Sequence, residues 1–149
     1  MLAGIISDTH GLLRPEALKA LQGVDRILHG GDVGNAEVLE ALREIAPVVA
    51  VRGNNDNGSW ADDLPQWEVA ELEGVFVYMI HNLQEMDISP AGSFQVVVSG
   101  HSHKPSVEER RGVLYVNPGS AGPRRFDLPI TIALLRVTGD QATAEIVEL

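Results

Sequence analysis

A chain of 149 residues, 44% of them hydrophobic and 21% charged, has the composition of a soluble globular protein and the length to bury a core without cross-links. It has no cysteine, which excludes disulfides, thiolate zinc sites and a cysteine nucleophile. The net charge of −10, from 21 acidic against 11 basic residues, repels polyanions at long range, so extended nucleic-acid binding through a basic face is not expected.

The opening residues Met1 to Ile6 carry no basic flank and meet Asp8 too soon for a signal peptide. No uninterrupted apolar run approaches the roughly 20 residues of a membrane-spanning helix. The expectation is a single cytoplasmic domain over residues 1–149, with no membrane partner.

Met1 to Ser7 is a short apolar run, as for a strand covered on both faces. Pro15 opens a helix through Leu18 and Leu21 that Gly23 ends. Val24 to Leu28 reads as a second buried strand. Asn35 caps a helix whose Val38, Leu42 and Ile45 recur on one face, and Pro47 closes it before the strand Val48 to Val51. Alternation of strand and helix predicts parallel pairing in this half. Farther on, Trp67 to Leu72 and Val75 to Ile80 flank Glu73-Gly74 as a hairpin, and Phe94 to Ser99 is another strand. Val107 to Arg110 and Val113 to Val116 bracket Arg111-Gly112, and Ile130 to Val137 and Ala142 to Val147 close the chain around Gly139-Asp140. The class is mixed α/β, parallel early and hairpin-rich late.

The chemistry sits where these strands end. The first runs into Ser7-Asp8-Thr9-His10-Gly11, the second into His29-Gly30-Gly31-Asp32 and the third into Gly53-Asn54-Asn55-Asp56. Later strands deliver His81 and Gly100-His101-Ser102-His103. Loops beyond the carboxyl ends of strands are where α/β sheets build sites. One-residue spacing within Asp8/His10 and within His101/His103 predicts near-extended backbone that points each pair one way. Neighbouring glycines permit tight turns and close approach. Imidazole with carboxylate and amide oxygen suits first-row divalent ions.

The ordered series Asp-x-His, Gly-Asp, Gly-Asn-x-Asp, a lone His and Gly-His-x-His resembles the calcineurin-like metallophosphoesterase superfamily. With the closing Asn117-Pro118-Gly119-Ser120, it is similar to the small bacterial and archaeal phosphodiesterases of the YfcE type. The motifs span residues 7 to 120. The resemblance implies a four-layer αββα sandwich with mixed sheets and two divalent metal ions per chain. Asp8, His10, Asp32 and His103 would hold one ion; Asp32 would bridge to a second held also by Asn54, His81 and His101. It further implies hydrolysis of phosphodiesters by in-line attack of a metal-bridging hydroxide. Mn²⁺ is favoured, with Fe²⁺, Ni²⁺, Zn²⁺ or Mg²⁺ as alternatives.

The chain departs from the superfamily at two places. Asn55 stands where many members have His; it donates a hydrogen bond but no catalytic proton. His81 is followed by Asn82 rather than Gly, a residue that still tolerates a left-handed backbone. Asp56 is read as steering water or a neighbouring side chain, or as a solvated acid of the loop. His29 is read as a packed group orienting Asp32 or nearby backbone. Arg124 matches the Pro-Arg that follows the Asn-Pro-Gly-Ser turn in the family and is a candidate for substrate phosphate. The partner is therefore a small phosphate ester, and homo-oligomerisation is left open. The rival readings are a phosphomonoesterase acting on a small phosphorylated metabolite, and a catalytically retired metal-binding scaffold for protein interaction.

Overall fold

The computed structural model describes residues 1–149. Ten strands and two α-helices follow in the order β1 (Leu2–Ile6), α1 (Pro15–Ala20), β2 (Arg26–His29), α2 (Ala36–Arg43), β3 (Val48–Ala50), β4 (Trp67–Leu72), β5 (Val75–Ile80), β6 (Val96–Val98), β7 (Ser106–Arg110), β8 (Val113–Asn117), β9 (Thr131–Thr138) and β10 (Gln141–Glu148). The helices end where local chemistry ends them. Pro15 opens α1 at its first turn, and the Asn35 side chain accepts from the Val38 N–H at 3.1 Å to cap α2.

The strands form two five-stranded sheets, β10-β9-β1-β2-β3 and β4-β5-β6-β8-β7. As the alternating pattern predicts, β1, β2 and β3 pair in parallel, and the three hairpins β4–β5, β7–β8 and β9–β10 are antiparallel. Three pairings go beyond that pattern. The last hairpin returns to the first sheet, with β9 antiparallel to β1, and β6 lies parallel to both β5 and β8. Because β6 is Val-Val-Val and buried throughout, it has the composition of a central strand, which such pairing requires.

Burial follows from these two sheets in layers. Ile5, Leu28, Val77, Met79, Val98 and Leu135 belong to the apolar layer between them. Ala17 and Leu21 from the first helical segment, with Val38, Leu39 and Leu42 of α2, pack on Ile6, Ile27 and Ile132 of the first sheet. Each of these Val, Leu and Ile side chains contributes roughly 1.5–3 kcal/mol through removal from water. The outer face of the second sheet carries Tyr78, Ile80, Val97 and Val113, covered by Leu83, Met86 and Phe94. These covering residues belong to segment 81–95, whose regular structure is one 3₁₀ turn, Leu83–Glu85, so this fourth layer is thin. Trp67 is 54% exposed and stacks on Tyr78, while Trp60 is partly buried against the helical layer. No helix is long and apolar enough to cross a membrane.

Candidate metal centre

Both sheets feed one site from their carboxyl ends. Asp8 and His10 follow β1, Asp32 follows β2 and Asn54 follows β3 in the first sheet; His81 follows β5, and His101 and His103 follow β6 in the second. The loops are laced together by main-chain bonds, among them Asp8 N to Gly31 O at 3.0 Å, His10 N to Asp32 O at 2.9 Å and Gly100 N to His81 O at 3.0 Å. Two glycines make this nesting feasible. A Cβ on Gly53 would stand 2.1 Å from Asp32 N and Oδ1, and one on Gly100 would stand 2.2 Å from Ser7 Oγ.

The side chains converge on two carboxylates. Asp8 Oδ1 lies 3.3 Å from His103 Nε2, 3.8 Å from His10 Nε2 and 3.9 Å from His81 Nε2. Asp32 Oδ2 lies 3.3 Å from His81 Nε2 and 3.7 Å from His10 Nε2. Asn54 Oδ1 is 3.1 Å from His81 Nε2. Donor atoms of Asp8, His10 and His103, and of Asp8, Asp32 and His81, lie within 4.8 Å of one another in each set. His101 is in neither set. Its exposed ring packs edge-on against His81 with centroids 5.3 Å apart, and the His101 main-chain N–H donates to Asp8 Oδ2 at 3.2 Å.

Hydrogen bonds from neighbouring groups orient these ligands. Asp8 Oδ2 accepts from Ser7 Oγ at 2.7 Å, and Asp32 Oδ1 accepts from Asn55 N at 2.9 Å. His81 Nδ1 donates to Gly30 O at 2.7 Å, which turns Nε2 toward the acids. Asp8 Oδ1 and His10 Nε2 are buried and make no hydrogen bond. Buried polar atoms are nearly always paired, so an acceptor oxygen and a ring nitrogen left bare side by side fit a cation bound between them.

Electrostatics run the same way. Burial alone raises the Asp8 carboxyl, but the His103 ring 3.3 Å away and the neighbouring His81 hold it below the ordinary value. Asp32 is likewise pushed up by burial and then pulled well below the carboxylate range by His81 and the Asn55 N–H. Burial lowers His81, yet its hydrogen bond to Asp32 and the charge of Asp8 outweigh that and raise it.

The backbone corrects one expectation. Asp8, His10, Asp32, His101 and His103 have φ of 56°, 47°, 54°, 70° and 63°, so the x-spaced pairs are left-handed rather than near-extended. Conversely, Asn82 needs no left-handed backbone. Its φ is −107°, and its side chain accepts from the Gln84 N–H at 3.0 Å, capping the 3₁₀ turn.

Neighbouring residues prove to be holders. Asp56 is 1% exposed, so it is not a solvated loop acid, and its carboxylate does not stand free to steer water. Oδ2 accepts from Val33 N at 3.2 Å and Gly53 N at 2.9 Å, and Oδ1 accepts from Gly34 N at 3.0 Å, so Asp56 ties the second loop to the third. The Asn55 amide also turns inward, donating to Asp32 Oδ2 at 3.2 Å instead of standing free for a leaving group. His29 is fully buried. Thr9 Oγ1 donates to Val33 O at 2.7 Å and must accept from His29 Nε2 at 3.0 Å, while His29 Nδ1 accepts from Gly31 N at 3.1 Å. That pattern makes the ring neutral, and burial pushes it down to about 4. Asn117 donates to Gly100 O and Ser102 Oγ, and Ser120 Oγ donates to Asp8 O, so the Asn-Pro-Gly-Ser turn braces the ligand loops. Ser7 and Asn117 were legible only as motif members; their bonds come from the tertiary fold.

Three clefts surround the donors. One of about 410 Å³ includes Arg52, Asn54, Gln66 and His81; another of about 340 Å³ includes His101, Asn82 and Tyr115. The third, about 210 Å³, is lined by His10, His103, Pro123, Arg124 and Arg125.

Comparison with known proteins agrees with this arrangement. Residues 1–140 match the model of the calcineurin-like phosphoesterase superfamily domain. A probable metallophosphoesterase of Methanothermobacter thermautotrophicus is 34% identical over 99% of this chain and 92% of its own length. The phosphodiesterase YfcE of Escherichia coli is 31% identical over 87% of this chain and 84% of its own. Vacuolar protein sorting 29 of Cryptosporidium parvum superposes with a TM-score of 0.84, covering 99% of this chain and 91% of that one; at 23% identity the likeness concerns the fold. The chain therefore belongs to the calcineurin-like phosphoesterase superfamily, a family of metallophosphoesterases, and is similar to its small YfcE-type members.

Proposed function

We propose that residues 1–149 act as one phosphodiesterase domain that binds two divalent ions and cleaves a small phosphodiester by in-line displacement at phosphorus. Asp8, His10, Asp32 and His103 hold one ion, and Asn54, His81 and His101 hold the other with Asp32 shared. The observation that carries the reading is the bare buried pair, Asp8 Oδ1 and His10 Nε2, within a ring of acids and imidazoles. Mn²⁺ is favoured from the likeness to the YfcE-type enzymes, while the mixed nitrogen and oxygen donor set suits Fe²⁺, Ni²⁺, Zn²⁺ or Mg²⁺ as well. Bound divalent ions supply an activated water at neutral pH and neutralise charge on the phosphoryl oxygens.

The chain's own residues arrange the rest. Gly30 O orients His81 through Nδ1, Ser7 and the His101 N–H fix Asp8, and Asn55 holds Asp32 by side chain and backbone. Asn55 is a positioning residue, and it has no proton to give a departing alkoxide. Asp56 acts at one remove, by clamping the loops that carry Asp32 and Asn54.

Metal content and turnover measured together on wild type and Asp32→Ala test the proposal, with bis(4-nitrophenyl) phosphate and 4-nitrophenyl phosphate as paired substrates under added Mn²⁺. Two ions per chain and faster diester cleavage are expected for wild type, with both lost in the variant. Two ions bound with no ester cleaved would favour the scaffold reading, and faster monoester cleavage would favour a phosphomonoesterase.

A further inference from the structure

The loop after the Asn-Pro-Gly-Ser turn has a base locked to the centre and a tip that is not. Ala121 N donates to Ser7 O at 3.1 Å, Arg14 Nε donates to Gly122 O at 3.2 Å, and a Cβ on Gly122 would stand 2.3 Å from Thr9 O. The tip closes on itself, with Leu128 N on Arg125 O and Arg124 Nη1 on Leu128 O, both at 3.1 Å. It thereby sets Arg124 and Arg125 on the wall of the cleft of about 210 Å³ that His10 and His103 also line. The ion pairs made by arginines in this chain are Arg110–Glu108 and Arg136–Glu145, so neither Arg124 nor Arg125 has a carboxylate partner, although acids outnumber bases by 21 to 11. Phe126, the next residue of the tip and not itself part of the cleft's lining, is 85% exposed at φ 54°, an unfavourable backbone for a bulky residue that buries little in return.

We infer that this cleft is a subsite for a second phosphate, and that Phe126 stacks on an aromatic base beside it. The substrate class is then a short nucleotidic phosphodiester carrying a terminal phosphate. The inference rests on the phosphoesterase reading and deepens it. A diester at phosphorus carries one negative charge, which the metal centre already meets. Two planar guanidinium groups without carboxylate partners, set to one side, suit a separate dianion, for which bidentate guanidinium contact is well matched. An exposed ring one residue along the same loop offers a base the kind of stacking surface that single-stranded nucleic acids use. The rest of the surface carries excess negative charge, which confines the match to a short substrate rather than a long strand.

The test compares adenylyl-(3′→5′)-adenosine with and without a 5′-phosphate, beside bis(4-nitrophenyl) phosphate, on the Mn²⁺-loaded protein. The 5′-phosphorylated dinucleotide should be favoured about tenfold in kcat/KM, the size expected of charge-assisted bonds at a partly solvated site. Arg124→Gln combined with Arg125→Gln should collapse that ratio towards one, and Phe126→Ala should raise KM for both dinucleotides with little change in kcat. A ratio near one in wild type overturns the subsite, whatever the variants do. An equal loss on all three esters in the arginine variant also overturns it, placing the arginines on the scissile phosphate instead. If bis(4-nitrophenyl) phosphate is cleaved while the dinucleotides show no preference, the phosphoesterase reading stands and the subsite falls. If no ester is cleaved, calorimetric binding decides the subsite separately: tighter binding of the phosphorylated dinucleotide, lost in the arginine variant, supports it, and equal binding refutes it.

Discussion

Asp56→Asn separates a loop clamp from a catalytic acid. The carboxylate accepts three main-chain N–H bonds, two on Oδ2 from Val33 and Gly53 and one on Oδ1 from Gly34. An Asn in the same place keeps one acceptor oxygen, best spent on the Val33 and Gly53 pair, and turns an NH₂ toward the Gly34 N–H. One bond becomes a donor–donor contact, and two others fall from charge-assisted to neutral. Hydrogen bonds to charged groups contribute roughly 1.5–3 kcal/mol each and neutral ones roughly 0.5–1.5 kcal/mol. Gly34 is exposed and regains water, which limits the loss. The expected destabilisation is about 2–3 kcal/mol, or a fall in Tm of roughly 5–10 °C for a chain of this size. Urea unfolding of the metal-free protein measures it, since the clamp acts before any ion binds. A variant as stable as wild type but slow on esters would refute the clamp and restore Asp56 to the chemistry.

Three further outcomes follow from particular contacts. His29, pushed down by burial to about 4 from 6.5, binds its proton more readily when unfolded; the stability it contributes is therefore full above pH 6.5 and lost as pH falls through the folded value. About 3 kcal/mol should disappear across that window in the metal-free protein, and His29→Gln should flatten this limb of the stability–pH profile; an unchanged profile would show that the ring titrates normally. Gly53→Ala places a methyl 2.1 Å from Asp32 N and Oδ1, so calorimetry should find metal affinity down by about 10- to 100-fold, and wild-type affinity would mean the loop yields freely. Because Asn55 supplies no proton, alkyl diesters should react at least about 100-fold more slowly than nitrophenyl ones, and a leaving-group series flat in pKa would reveal an acid not identified among the residues of the site.

What could be read from the residues was the order of the motifs and their place at strand ends, because each motif is short and follows a short, mostly apolar run that reads as a buried strand. The parallel first half and the three hairpins come from the same local evidence. Less legible was everything set by distant partners. No local pattern places β9 against β1 or makes β6 the centre of a parallel trio. Asp56 looks like a loop acid until its carboxylate is seen reaching Val33, a residue 23 positions back. Asn82 departs from the family at a position whose backbone turns out to be extended, so the glycine's freedom was never needed there. Spacing alone also misjudged the ligand pairs, since one intervening residue suits an extended chain and equally suits the left-handed kinks that the loop-to-loop bonds impose.

Those kinks yield a test of how the site is held. At φ 63° the Cβ of His103 crowds the backbone, a cost on the order of 1 kcal/mol that glycine escapes. In ordinary regular structure glycine is the worse residue, destabilising by about 0.5–1 kcal/mol relative to alanine. At His103 the order should invert. Both His103→Gly and His103→Ala delete the ring and its 3.3 Å approach to Asp8, so both lose the same side-chain interactions and differ only at the backbone. If the fold itself imposes the left-handed conformation, the Gly variant should be the more stable by up to about 0.5 kcal/mol in urea unfolding without metal, the strain relieved less glycine's entropy cost. If the alanine variant matches or exceeds it, the conformation relaxes once the imidazole is gone, and the ligand rather than the loop was holding the backbone.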